Sequence, residues 1–353
     1  MRRAQIVRWG EPLEIREYPT PKPQGTEVLV RVTACGVCHS DLHIHQGFFD
    51  LGGGEKLSIE ERGVRLPFTM GHEIAGEVVE LGPDAPRGLA EPGREYVVHP
   101  WIGCGSCAFC KKGLEHYCPK PRFLGTVVDG GYGDYVIVPH PRYLVPFDGL
   151  PREVACTLAC SGVTAFGALQ KIGRELDGWP VMLLGLGGVG AAALAMIRLV
   201  TDAPVYVADI DPKKRDYALS RGAAAVFDPA EAGAEKKVRE ASGGGVGTVI
   251  DFVGRPETAR FALGSLVTKG GTLVVVGLYG DRLQIPMPYF PLRALTIRGS
   301  YVGTVEDLRT LVRLAQEGRF EPVPVHTRPL EEANAALEDL AAGRVVGRQV
   351  LVP

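Results

Sequence analysis

Four stretches of this 353-residue chain carry side chains whose types and spacing can do chemistry. Ala34–His43, ACGVCHSDLH, crowds Cys38, His39, Ser40, Asp41 and His43 together. Gly71–Gly82, GHEIAGEVVELG, opens on the adjacent pair His72 and Glu73. Cys104, Cys107, Cys110 and Cys118 form C-x2-C-x2-C-x7-C among Gly103, Gly105 and Gly113. Four thiolates can close a tetrahedron around zinc and leave no open position, which is the chemistry of a structural site. Free thiols or two disulfides are the alternative. Cys38 and His72, with a cysteine further on, make the three-ligand set that an open zinc site uses. Cys156 and Cys160 are four apart and share a face if that segment is helical, so spacing leaves either as the third ligand. Cys35 and Cys38 form a C-x-x-C without a thioredoxin-like context, and Cys35 is read as a small packed residue.

The fourth stretch is Val181–Asp209. Val181–Leu184 reads as a buried strand. Gly185, Gly187 and Gly190 follow in G-x-G-x-x-G order, then an Ala-rich helical run Val189–Val200 and a second strand Val205–Ala208. Asp209 stands 22 residues after Gly187. This is the fingerprint of a dinucleotide site: Gly185 for the tight turn, Gly187 for close approach to the pyrophosphate, Gly190 for helix-on-strand packing. Backbone N–H groups at the helix start, at Gly188 and Val189, face the phosphates. Asp209 accepts from the adenosine ribose hydroxyls and repels a 2′-phosphate, which favours NAD over NADP. Lys214 can reach the same ribose or be an exposed helical lysine.

The elements that must hold these groups follow from composition and pattern. The length suits two domains. A net charge of −2 with no dominant basic block gives no reason to expect nucleic acid or an acidic membrane. MRRAQIVRWG lacks the apolar run of a signal peptide, so a cytoplasmic protein is expected, with cysteines used as ligands or free thiols. Trp179–Ile197 is uncharged, but its glycines break it after one strand. A single Asn with abundant Pro and Arg points mildly to a thermophile.

Residues 1–100 read as short strands and turns, with strands at Glu27–Val32 and Ile74–Leu81. Gln46–Pro67 reads as a long loop of little apolar content, the kind that is functional or mobile. Gly130–Pro139 reads as a strand. Past Asp209, Asp211 and Pro212 start a helix that stops at Gly222. Thr248–Val253, Thr272–Gly277 and Leu295–Ser300 continue a parallel sheet. Thr304 caps a helix Val305–Glu317, and Leu330–Ala342 is another.

The set GVCHSDLH, GHEIAGEVVELG, the cysteine loop, ACSGVTAF and GLGGVG resembles the zinc-containing medium-chain alcohol dehydrogenase family, in order and over essentially the whole chain. The long loop after His43, PWIG, PRFLG and the ending GRQVLVP are similar to the tetrameric enzymes of thermophilic archaea. The resemblance implies an α/β protein: a β-rich GroES-like catalytic domain over 1–160 and 303–353, and a Rossmann doubly wound NAD-binding domain over 161–302. It implies an active site in the cleft between the two, a homotetramer, and an edge strand near Leu295–Val302 joining subunits.

It further implies NAD and two zinc ions per subunit. ACSGVTAF selects Cys160, so Cys38, His72 and Cys160 are the implied ligands of a catalytic zinc, Glu73 a possible fourth, and the four clustered cysteines the structural site. Asp41 is implied to orient His72. Ser40 and His43 are implied as a proton relay, a role that suits a histidine titrating near neutrality. His39 and Arg348 match positions that contact the pyrophosphate. Phe49, beside Phe48, with Trp101 and Phe123, falls in segments that border the substrate pocket in similar enzymes. The expected reaction is reversible oxidation of primary or secondary alcohols, apolar or aromatic, with hydride passing to NAD. A polyol, sugar or threonine dehydrogenase on the same scaffold is the alternative, and a zinc- and NAD-binding protein without turnover a second.

Overall fold

The computed structural model describes residues 1–173 and 177–353. These divide into two compact units: Met1–Phe49, Leu57–Val163 and Val302–Pro353 in one, Asp50–Lys56 and Thr164–Tyr301 in the other. Among the described residues, no helix is long and apolar enough to cross a membrane.

The first unit is built on a seven-stranded sheet. Its main path runs Leu144–Pro146, Glu95–Val98, Glu73–Leu81, Val28–Val37, Arg348–Val352, Val325–Pro329, and Tyr135–Val138 joins the start of Val28–Val37. Val28–Val37 is the hub because it is long and carries apolar side chains on both faces. Register shifts after Leu29 and Val32 bend it against Glu73–Leu81, as bulges do. The bend lets one strand pair with Tyr135–Val138 at its start and Arg348–Val352 at its end. A small sheet of Glu14–Glu17, Arg2–Ile6 and Phe68–Thr69 packs into the same core, around buried Ile6, Phe68, Met70 and Tyr132.

The second unit carries six parallel strands ordered Ala225–Phe227, Val205–Ala208, Val181–Leu184, Thr248–Asp251, Thr272–Val275, Thr296–Gly299. In chain order this is 3-2-1-4-5-6, the doubly wound arrangement. Leu184, Ala208 and Asp251 end in register, so the residues after them share one edge of the sheet.

Several boundaries differ from the sequence reading. The helix read as Val189–Val200 spans Gly188–Met196, followed by a 3-10 turn at Ile197–Leu199. The strand read over Gly130–Pro139 is Tyr135–Val138, because Gly130, Gly131 and Tyr132 donate to carbonyls of Thr69, Gly71 and Met70 instead. Gln46–Pro67 is not a plain loop. It holds a hairpin, Phe48–Gly52 with Glu55–Ser58. Most of its residues are exposed on both faces, so no alternation marked it. Its far part is tied to the second unit by Arg282–Glu55 at 2.9 Å.

Beside the strand Glu95–Val98, His99 is buried and stacked on Tyr143, 6.5 Å between centroids. Burial, with His116 nearby, pushes its pKa from 6.5 down to about 3. The folded state thus refuses a proton that the unfolded chain accepts below its own pKa. Stability should fall as pH drops through 6.5 and keep falling to about 3. By linkage this one group removes about 2 kcal/mol between roughly pH 6.5 and pH 5. Urea midpoints measured across that range should show the slope, and His99→Phe should flatten it.

Candidate active site and cofactor cradle

Cys38, His72 and Cys160 come together in the first unit, all buried, with their ligand atoms within 4.8 Å of one another. Each arrives for a local reason. Cys38 directly follows the strand Val28–Val37 and caps the helix His39–Gln46. His72 directly precedes the neighbouring strand Glu73–Leu81. Cys160 sits between a 3-10 turn, Cys156–Ala159, and the helix Ser161–Leu169. The segment is not one continuous helix: Cys160 leaves the helical region (φ −127, ψ −71). That break, rather than a shared helical face, presents its sulfur to Cys38, 4.0 Å away. Cys156 and Cys35 stay buried as thiols, and burial pushes both pKa values up.

Asp41 organises the cluster. Its Oδ2 accepts from Cys38 N–H and from the Tyr132 hydroxyl, each at 2.9 Å. Its Oδ1 lies 3.3 Å from His72 Nδ1, an ion-pair contact short of a well-aligned hydrogen bond. Burial alone would push the His72 imidazolium down. Asp41 and the Cys38 sulfur together outweigh that, leaving its pKa well above the usual histidine value. Nε2 of His72 is buried without a hydrogen-bond partner. A buried nitrogen with no partner, beside two thiols, is the donor set of a zinc site. The residues therefore fit the metal.

Glu73 is also fully buried. Oε1 accepts from Ser161 N–H at 3.1 Å, and Oε2 accepts from Arg348 Nη2. Burial raises its pKa and Arg348 opposes the rise. The buried guanidinium of Arg348 thus rests on Glu73 beside the thiols. Trp101 packs against His72 at 5.4 Å and Phe123 against Trp101 at 5.4 Å. Trp101 Nε1 donates to Ala159 O at 2.9 Å. Ser40 and His43 lie on the helix His39–Gln46, where His43 faces His39 at 5.8 Å. Burial first, then His39, lowers the His43 pKa, so the imidazole is neutral at pH 7. His39 itself is exposed.

The four remaining cysteines form a second cluster, their sulfurs within 4.8 Å of one another. None is in a disulfide; the closest pair, Cys107 and Cys110, is 3.4 Å apart. Cys118 Sγ accepts from Cys104 N–H and Lys120 N–H at 3.2 and 3.4 Å. The Ser106 hydroxyl and backbone N–H groups bring the Cys104 thiol down to about 5. Glu115 ties the loop to the sheet through Gly103 N–H at 2.8 Å and the Tyr143 hydroxyl at 2.7 Å.

In the second unit the glycine motif lies at the carboxyl edge of the parallel sheet. Gly185 adopts φ +87, which glycine alone takes without strain. A Cβ on Gly190 would sit 1.9 Å from Gly185 O, whereas one on Gly187 would point into open space. The cradle in front of Gly187, Gly188 and Val189 fits a phosphate approaching the helix N-terminus. Asp209 Oδ2 accepts from Leu186 N–H at 2.7 Å and Oδ1 from Asp211 N–H at 2.9 Å. The sequence reading passed over Arg215, whose Nη1 donates to Asp209 O at 2.6 Å. Lys214 is half-buried on the same helix. Tyr132 was also passed over; its only sequence signal is a tyrosine among glycines.

With this geometry in place, the comparisons with known proteins converge. Residues 24–149 match the family described as alcohol dehydrogenase GroES-like domain, and residues 188–317 the family described as zinc-binding dehydrogenase. An NAD-dependent alcohol dehydrogenase of Sulfurisphaera tokodaii is 37% identical, covering all of both chains. A D-arabinose 1-dehydrogenase (NADP+) of Saccharolobus solfataricus is 32% identical over 99% of this chain and 97% of that one. The alcohol dehydrogenase of the hyperthermophilic archaeon Aeropyrum pernix superposes with a TM-score of 0.89 at 32% identity, over the full length of both. Fold and site together define a two-unit oxidoreductase that uses a dinucleotide and a metal. The chain belongs to the zinc-containing medium-chain alcohol dehydrogenase family, and it is an enzyme whose cofactors are NAD and zinc.

Gly190→Ala tests the cradle. The added methyl meets a backbone carbonyl that cannot yield, so the substitution should cost about 1–3 kcal/mol of stability. It should also weaken NADH binding by about tenfold or more, ~1.4 kcal/mol per decade, as read by fluorescence titration.

Proposed function

We propose that the protein catalyses reversible oxidation of primary and secondary alcohols, apolar or aromatic, with hydride passing to NAD. The observation that carries the reading is the buried Cys38–His72–Cys160 set, with its unpartnered imidazole nitrogen beside two thiols. Under this reading Cys38, His72 and Cys160 hold a catalytic zinc, and Cys104, Cys107, Cys110 and Cys118 hold a structural one, two per subunit. Bound zinc acts as a Lewis acid that makes a substrate hydroxyl more acidic and polarises a carbonyl in the reverse direction.

The chain's own residues do the rest. Asp41 fixes the His72 ring so that Nε2 faces the thiols. Ser40 Oγ receives the hydroxyl proton as it releases its own along the relay, and His43, neutral at pH 7, is the base that takes it up at the outer end. Glu73, held by Ser161 N–H and Arg348, stands beside the ligand set as the proposed fourth ligand. Gly185 to Gly190 seat the pyrophosphate, and Asp209 takes the adenosine ribose with Lys214 close by. His39 and Arg348 are proposed to face the pyrophosphate; for Arg348 this requires its guanidinium to serve Glu73 as well. Trp101, packed against His72, and Phe123, edge-on to Trp101, are proposed with Phe49 to give the substrate an apolar wall. That favours alcohols with an apolar or aromatic group over polyols. We further propose a catalytic domain over 1–160 and 303–353 and an NAD domain over 161–302.

A homotetramer in the cytoplasm completes the reading. Exposed Met287, Tyr289 and Leu292 near the open edge strand Thr296–Gly299 favour self-association. Eight free cysteines suit a reducing compartment.

Purified protein should form NADH from simple and aromatic alcohols, and a zinc chelator should abolish it. Turnover of D-arabinose or sorbitol with none of the simple alcohols would instead identify a sugar or polyol dehydrogenase. Silence on all substrates, with zinc and NAD bound, would leave a binding protein. Tyr132→Phe should leave the fold intact, because one hydrogen bond to a carboxylate is worth about 1.5–3 kcal/mol, less than the stability of a domain. It should weaken zinc retention about 10–100-fold in chelator competition, as expected when a partner of the ligand-orienting group is lost.

A further inference from the structure

Phe49 is turned back onto His43 by the residues between them. Gly47 ends the helix His39–Gln46 in the left-handed region (φ 85), and its N–H bonds to His43 O and Ile44 O. Ile59 N–H donates to Gly47 O at 2.9 Å, which ties the segment after the hairpin to the same turn. The Phe49 ring consequently lies 5.1 Å from the His43 imidazole at 34°. Beyond it, the Arg62 guanidinium lies over Phe49 at 5.8 Å. Phe49 itself packs against the core cluster of the first unit, so it is a fixed wall.

We infer that Phe49 is a positioning residue for His43: the stack of Arg62 on Phe49 on His43 selects the imidazole orientation from which the relay works. The inference rests on the relay reading of Ser40 and His43. A half-buried helical histidine has several staggered orientations open to it. One aromatic contact shifts such an equilibrium by about two- to tenfold. A residue that only lines the substrate pocket acts differently. Its effect scales with the size of the alcohol and does not depend on His43.

The test is a double-mutant cycle in the holoenzyme with Phe49→Leu, His43→Gln and the pair. Single-turnover NADH formation is followed with a small and a bulky alcohol. Phe49→Leu should slow hydride transfer at saturating substrate about two- to tenfold with both alcohols alike, whatever its loss from the apolar wall does to KM. It should cause no further loss in the His43→Gln background, and Phe49→Tyr should restore the rate. The His43 ring C–H resonance, assigned by its disappearance in His43→Gln, should shift in Phe49→Leu as the ring current is lost. A loss confined to the bulky alcohol, or one that adds fully to His43→Gln, would show that Phe49 acts on substrate alone and overturn the proposal. An unmoved His43 resonance would overturn it too. Full activity in His43→Gln would remove the relay reading and the positioning role with it.

Discussion

The first unit depends on the need to satisfy a set of polar side chains sealed from water. Asp41, His72 and Glu73 are each 0% exposed and Arg348 is 4% exposed, beside two thiols. Isolated charges there would cost several kcal/mol each. Every oxygen that carries charge has a donor or a cation beside it. Asp41 has Cys38 N–H, the Tyr132 hydroxyl and His72; Glu73 has Ser161 N–H and Arg348. The three strands that bring these groups together are consecutive in the sheet: Glu73–Leu81, Val28–Val37 and Arg348–Val352. The bulged register of the middle strand is therefore part of the site.

A buried ion pair such as Glu73–Arg348 is weak evidence for stability, because an apolar pair of the same volume often does as well. Its value here is geometric. It fixes a carboxylate beside the ligand set, through a strand that reaches the sheet only at the end of the chain. This is also why the first unit is discontinuous in sequence. The return of Arg348–Val352 delivers a cation to a site whose other members lie far upstream.

What could be read from sequence was what is local. The strand, glycines, helix and acid of Val181–Asp209 follow one another within a single β-α-β passage, and alternation marks the later strands from Thr248, Thr272 and Leu295 as one parallel sheet; the short edge strand Ala225–Phe227, only half-buried, gave no such signal. The Cys104–Cys118 cluster lies within one loop. The Cys38, His72, Cys160 set spans the unit, and spacing left Cys156 and Cys160 open; the backbone break at Cys160 separates them. Asp41's second donor, Tyr132, and the seat of Arg348 on Glu73 depend on pairing across the sheet, which no local pattern encodes. The hairpin after Gly47 escaped notice because a ribbon wet on both faces has no periodicity to show. Its consequence, Phe49 against His43, escaped with it.

The two halves of the chemistry are encoded in opposite ways. The glycine cradle is made by leaving side chains out: a methyl at Gly190 collides with backbone, and the space before Gly187 is open. The metal cluster is made by putting side chains in, each with a partner that only the folded sheet supplies. Adding atoms should therefore damage the second unit most, by collision. Removing them should damage the first most, by stranding a buried partner without its hydrogen bond, at about 1–3 kcal/mol for each group left alone. The sensitivity of each half to substitution follows from that asymmetry, and it is independent of which alcohol the enzyme oxidises.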